Sequence, residues 1–140
     1  MSAADNRVAL VDSNVIIDVR SEDPVWFDWS AQTLAETADR YQLAINPVIY
    51  AEISIDADRI EDLDVELPER DYLRLALPYP AGFLAGKAFV AYRRAGGQRR
   101  SPLPDFYIGA HAAVERLTLL TRDAARYRTY FPTVTLISPA

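Results

Sequence analysis

Apolar residues in this chain fall into short unbroken runs and helical stripes, with almost no strict alternation. Val8-Ala9-Leu10-Val11 is one such run, closed by Asp12, and Leu43-Ala44-Ile45 is the apolar part of a second, over 42–45. Two more lie over 118–121 and 134–137. Such runs, bounded by polar residues, are strands buried on both faces, as in a parallel sheet covered by helices. Between them the period lengthens. Ser13 is placed to cap a helix over 14–19, and Asp23-Pro24 opens another over 25–40. Asn46-Pro47 repeats the cap-and-proline start before 48–54. Further helices are predicted over 57–63, 69–75, 81–95, 105–115 and 123–130, with Gly96-Gly97 ending the one at 81–95. Helix outweighs strand. The pattern predicts an α/β three-layer sandwich, a short central parallel sheet flanked by helices, as a single domain over 1–140. In such sheets sites form beyond the carboxyl ends of the strands.

Composition narrows the chemistry. The chain has no cysteine and one histidine, His111. Thiolate nucleophiles, disulfides and Cys- or His-rich zinc sites are therefore out of reach, and carboxylates are left to do any catalysis. His111 lies six residues beyond Asp105, around the helix from it, and gets no catalytic role. Ser13 and Ser101 have no nearby base. No apolar run approaches the length of a membrane span, and Met1–Asp5 lacks a basic start followed by an apolar stretch. A cytoplasmic protein is expected.

The net charge of −5 is unevenly spread. Residues 1–78 carry 17 acids against 6 bases, whereas 79–104 carry five bases and no acid. Arg93, Arg94, Arg99 and Arg100 form a basic stretch that leads straight to Asp105. It can bring phosphates to that acid; equally, it suits a solvated helix end and loop.

Four acids are predicted at one end of one sheet. Asp12 directly follows the first strand and Asp123 nearly follows the strand at 118–121, so both project from the same rim. Glu52 follows the second strand, with Val48, Ile49 and Ile55 as helical neighbours, and a carboxylate on an apolar stripe needs a partner or a metal. Asp105 opens a helix. Helix capping explains Asp12, Asp105 or Asp123 singly. Their convergence needs another account, since two carboxylates 4 Å apart repel by about 4 kcal/mol at an effective dielectric of 20. Mg²⁺, or Mn²⁺, removes that repulsion and prefers oxygen ligands. Carboxylate-bound Mg²⁺ suits phosphodiester hydrolysis.

At these residues the sequence resembles a PIN-domain ribonuclease, and more narrowly a VapC-type toxin of a type II toxin–antitoxin system. The segments that carry the likeness are Val11-Asp12-Ser13-Asn14-Val15-Ile16-Ile17-Asp18, Asn46-Pro47-Val48-Ile49-Tyr50-Ala51-Glu52, Leu103-Pro104-Asp105-Phe106-Tyr107-Ile108-Gly109-Ala110 and Leu119-Leu120-Thr121-Arg122-Asp123. The resemblance implies a PIN-like fold and a Mg²⁺-dependent endoribonuclease neutralised by an antitoxin. It makes Asp12, Glu52, Asp105 and Asp123 the catalytic and metal-binding quartet, supported by Asn14 and Thr121. Residues 55–98 match only in being helical, so substrate and partner preferences do not carry over there.

Two other classes compete. A phosphoaspartyl receiver or phosphotransferase-type domain also places an Asp after an early strand, but Asp12-Ser13-Asn14 lacks the acid pair it needs and leaves Glu52 unexplained. A catalytically inactive PIN-fold module kept for protein binding is the other. A dinucleotide-binding fold lacks its glycine fingerprint. Trp26, Phe27 and Trp29 cannot all face one side of a helix, so one of them is a candidate anchor for a homodimer mate or the antitoxin, unless neighbouring helices cover all three.

Overall fold

In chain order the elements are β1 (Val8–Val11), α1 (Ser13–Arg20), α2 (Phe27–Arg40), β2 (Gln42–Ile45), α3 (Pro47–Ser54), α4 (Ile60–Glu66), β3 (Tyr72–Arg74), α5 (Tyr79–Arg94), α6 (Pro104–Glu115), β4 (Thr118–Leu120), α7 (Ala125–Tyr130) and β5 (Leu136–Ile137). They are taken from a computed structural model that describes residues 7–100 and 102–140. The opening segment Met1–Asp5 and Ser101 lie outside the described residues. The five strands form one parallel sheet in the order β3-β2-β1-β4-β5, with Ala9 opposite Leu43 on one side and Thr118 on the other. The chain works outward from β1 through β2 to β3, then crosses back to β4 and β5. Successive connections therefore diverge between β1 and β4, the position where open α/β sheets leave a crevice for ligands.

The unbroken apolar runs are explained by burial on both faces. Ala9, Leu10, Val11, Leu119 and Leu120 are fully buried. The middle of helix α6 is internal too, with Phe106, Ile108, Gly109, Ala110, His111 and Ala112 enclosed. Gly109 makes that depth possible: a Cβ there would stand 2.4 Å from Cδ2 of Phe131. Among the described residues no helix is long and apolar enough to cross a membrane.

The structure corrects several element boundaries. Residues 69–75 are not a helix; the segment contains β3, an edge strand paired with β2 through Leu43 opposite Tyr72. The predicted helix at 57–63 lies later, as α4. Ser13 is the first residue of α1 rather than its cap, and Asp12 takes the N-cap position. Asp23 accepts from the backbone N–H groups of Val25 and Trp26, ordering a turn before α2. Neither tryptophan nor Phe27 is left fully exposed. All three are half-buried, with Trp26 and Trp29 edge to face at 6.1 Å. The exposed large apolar side chains are others, notably Val25 just before Trp26, Tyr79 and Phe83 on α5, Ile60 and Val65 on α4, and Ile55 before it.

Candidate active site

Asp12 is held where β1 ends. Its N–H still donates to the Leu120 carbonyl at 2.9 Å, keeping it in register with β4. Its backbone is extended at the N-cap of α1, yet the side chain makes no capping bond. The carboxylate turns to the crevice instead. Oδ2 accepts from Thr121 Oγ1 at 2.9 Å and Tyr127 Oη at 2.8 Å, with Asn14 Nδ2 at 3.5 Å. Oδ1 takes no hydrogen bond from any described residue. Burial is the main reason its carboxyl is pushed up to about 6, and the nearby Asp105 and Glu52 charges add to it, against the pull of the Tyr127 and Thr121 hydroxyls.

Glu52 reaches the same rim from α3. Its Oε1 accepts from Ser13 Oγ at 2.8 Å. The nearby Arg20 does not neutralise it: that guanidinium donates to the Ile53 carbonyl and to Glu66. Burial raises the Glu52 carboxyl above its ordinary range, and Asp105 raises it further. Asp105 sits in the first turn of α6, where the helix dipole favours an anion, but it makes no capping bond. Its Oδ1 is 3.4 Å from Tyr127 Oη and its Oδ2 accepts from Arg126 Nη1 at 3.2 Å. Burial pushes Asp105 up and Asp123 adds to the effect, whereas Arg126 and Tyr127 draw it down. Asp123 is exposed in the loop between β4 and α7, its N–H donating to Thr121 Oγ1 at 3.1 Å.

Each sequence-derived acid thus reaches the crevice between β1 and β4 or its margin, and capping accounts for none of the three strand- and helix-end aspartates. Among the described residues, however, no three carboxylate or imidazole groups converge into a closed cation cage. An open rim of oxygen donors still fits a hard divalent ion, because Mg²⁺ keeps several waters and needs one or two direct carboxylates. The raised carboxyls agree with that fit: burial pushes them up most and neighbouring like charges add to it, and a bound cation would offset both.

Asn14 and Thr121 do bear on the site. Asn14 Nδ2 donates to Thr121 Oγ1 at 3.3 Å, and Asn14 Oδ1 accepts from the Arg122 N–H at 3.3 Å. The basic stretch is more remote. Arg93 Nη1 donates to the Arg99 carbonyl within its own loop. The end of α5 flanks the first turn of α6, with the Tyr92 ring 5.5 Å from that of Phe106, so the stretch starts beside the helix that carries Asp105; among the described residues none of its arginines pairs with the acids of the rim.

Four features escaped sequence reasoning. Tyr127 is a buried hydroxyl reaching Asp12 and Asp105; its only sequence signal is its place one helical turn past Asp123. Arg126 pairs with Asp105. Arg122 donates to the buried Asp18 at 2.7 Å, which also accepts from Ser30, and it lies over the Trp26 ring. Finally, Asn46 uses both ends of its amide. Oδ1 accepts from Ile49 N–H, so Nδ2 is left to donate to His111 Nδ1 at 3.0 Å. The ring proton is thereby assigned to Nε2, facing Glu115 at 3.5 Å. His111 is a buried brace between α3 and α6, the helices that carry Glu52 and Asp105.

Residues 9–132 match the PIN domain family. No curated protein sequence matches the chain. Solved structures share its architecture at low identity. VapBC2 from Rickettsia felis, bound to a DNA fragment from their promoter, is 18% identical with a TM-score of 0.70, over 94% of this chain and 98% of that one. VapBC-1 from nontypeable Haemophilus influenzae is 17% identical with a TM-score of 0.70, over 94% and 97%. FitAcB from Neisseria gonorrhoeae is 17% identical with a TM-score of 0.66, over 92% and 96%. At such identities the likeness is one of fold.

Proposed function

The chain belongs to the PIN domain family, whose members are generally nucleases, and from that premise we propose that it is a Mg²⁺-dependent endoribonuclease, Mn²⁺ serving in its place, and the toxin of a toxin–antitoxin pair. The observation that carries the reading is that Asp12 and Asp105 meet at the Tyr127 hydroxyl in the crevice between β1 and β4, with Glu52 close enough for its charge to act on Asp12. A metal-free role would not favour such crowding.

In this reading Asp12, Glu52, Asp105 and Asp123 hold the divalent ion, which supplies charge neutralisation for an in-line attack on a phosphodiester. Thr121 and Tyr127 fix Asp12 through Oδ2 and leave Oδ1 available. Ser13 orients Glu52. Asn14 ties the Thr121 hydroxyl and the Arg122 backbone N–H to the Asp12 side of the crevice. Arg93, Arg94, Arg99 and Arg100 flank the rim and serve as a sequence-independent attraction for the RNA backbone. The antitoxin is expected to cover the carboxylate rim, and a homodimer is expected. Action on RNA in the cytoplasm follows from the same reading.

Purified full-length chain incubated with structured RNA tests it. Cleavage is expected with Mg²⁺, none with EDTA, and recovery on adding Mn²⁺. Cleavage that survives EDTA, or none with either ion, overturns the reading.

A further inference from the structure

Arg126 occupies an unusual position for a cation. It lies in the first turn of α7 and donates through Nη1 to Asp105 Oδ2 at 3.2 Å, with its side chain still 38% exposed. The guanidinium also lies 5.9 Å from the Phe106 ring centroid. Beside it opens a cleft of about 370 Å³ whose lining includes Asp105, Asp123, Thr129 and Tyr130. Its neighbour Arg122 is not comparably available, being committed to the buried Asp18 and to Trp26.

A carboxylate cannot serve a divalent ion and keep a full-strength pair with a guanidinium. The two cations repel, and the ion carries twice the charge. Arg126 is the more easily displaced partner, because it is half-exposed and its pair with Asp105 is a single contact. Its displaced fork has the open cleft to enter. A planar guanidinium matches two phosphate oxygens as well as it matches a carboxylate.

We propose that Arg126 is a phosphate-binding residue of this site, which pairs with Asp105 at rest and transfers to a non-bridging oxygen of the RNA phosphodiester once a divalent cation takes Asp105. The inference rests on the nuclease reading above and adds a substrate contact to it. One residue thereby does two things in sequence: it keeps the carboxylates partly neutral without an ion, and it recruits substrate only when the ion is present.

The test uses the full chain with Arg126→Ala and Arg126→Lys, measuring Mn²⁺ binding by calorimetry and KM and kcat on a synthetic RNA. Loss of a competing exposed pair should tighten Mn²⁺ binding of Arg126→Ala severalfold, up to about fivefold. Loss of a charge-assisted contact should raise its KM by about 10- to 100-fold. Arg126→Lys keeps the competing charge without the fork, so it should bind Mn²⁺ like wild type and recover only part of the KM. The opposite signs exclude a merely structural role, which would weaken both together. Parallel losses in metal and RNA binding, or an Arg126→Ala protein equal to wild type in both, overturn the inference while wild-type cleavage stands. A wild type that cleaves no RNA overturns the nuclease reading and, with it, the assignment of an RNA phosphate to Arg126.

Discussion

The crevice has two sides that differ in almost every physical respect, although aspartates line both. On the inner side Asp12 is 3% exposed and held through one oxygen by Thr121 and Tyr127. On the outer side Asp123 is exposed, and Asp105 is paired with the part-exposed Arg126 at the mouth of an open cleft. The inner side is preorganised: its geometry is set by the fold before any ligand arrives. The outer side exchanges partners. Rigid positioning and ligand exchange make opposite demands on packing, and the molecule separates them by depth rather than by residue type.

The largest effect that distinguishes the two sides is expected from matched substitutions. Asp12→Asn should lower RNA cleavage by about 10²- to 10³-fold, the scale of losing one preorganised electrostatic group. It should also stabilise the metal-free protein at neutral pH by on the order of 1 kcal/mol, because Asn keeps an acceptor for Thr121 and Tyr127 and removes a buried charge. Asp123→Asn should leave stability within about 0.5 kcal/mol of wild type, as an exposed substitution does. Urea melts and cleavage rates on both variants check this. Equal stability changes would erase the distinction between the sides.

A smaller effect tests whether the inner side is held by more than one donor. Tyr127→Phe removes a buried hydroxyl from Asp12 and should cost about 1–2 kcal/mol in urea unfolding at neutral pH. Thr121 still anchors Oδ2, so cleavage should fall by less than in Asp12→Asn. A loss as deep as that of Asp12→Asn would make Tyr127 the sole determinant of the geometry.

The smallest effect concerns the brace behind both sides. Burial lowers the His111 imidazole below its ordinary value, against the opposing pull of Glu115. The folded state thus favours neutral His111. Its contribution to stability is fully present above the unfolded value of about 6.5 and is lost as pH falls through the lower folded value. Comparing wild type with His111→Gln isolates this from the carboxyls, whose raised values act in the opposite direction. Their stability difference should shrink on acidification from pH 7.5 to 5; a difference that grows would mean that His111 is charged in the fold.

Which parts of this were legible follows from how much sequence each occupies. Strands β1, β2 and β4 announce themselves because burial on both faces demands unbroken apolar runs. Three of the four acids are readable because they adjoin an element boundary, and Glu52 because a carboxylate on an apolar helical stripe stands out. β3 was not legible: three residues, Tyr72, Leu73 and Arg74, satisfy a helical period as readily as an extended one, and only pairing with β2 decides between them. Tyr127 and Arg126 were hidden for a related reason. An aromatic on a six-residue helix reads as core, and a lone arginine attracts less notice than the basic stretch at 93–100. His111 read as incidental because its partner, Asn46, already had an explanation as the cap of α3.

Gly109 shows where such a site is vulnerable. It lies one helical turn beyond Asp105, and the space its missing Cβ would fill belongs to the Phe131 ring. The depth at which α6 seats, and with it the height of Asp105 above the strand ends, is gauged by that contact as by a shim of zero thickness. Adding a single methyl group there would lift the helix like a wedge under one leg of a tripod, tilting a carboxylate that the methyl never touches. The tolerance of the whole rim is therefore set partly by an atom the chain omits.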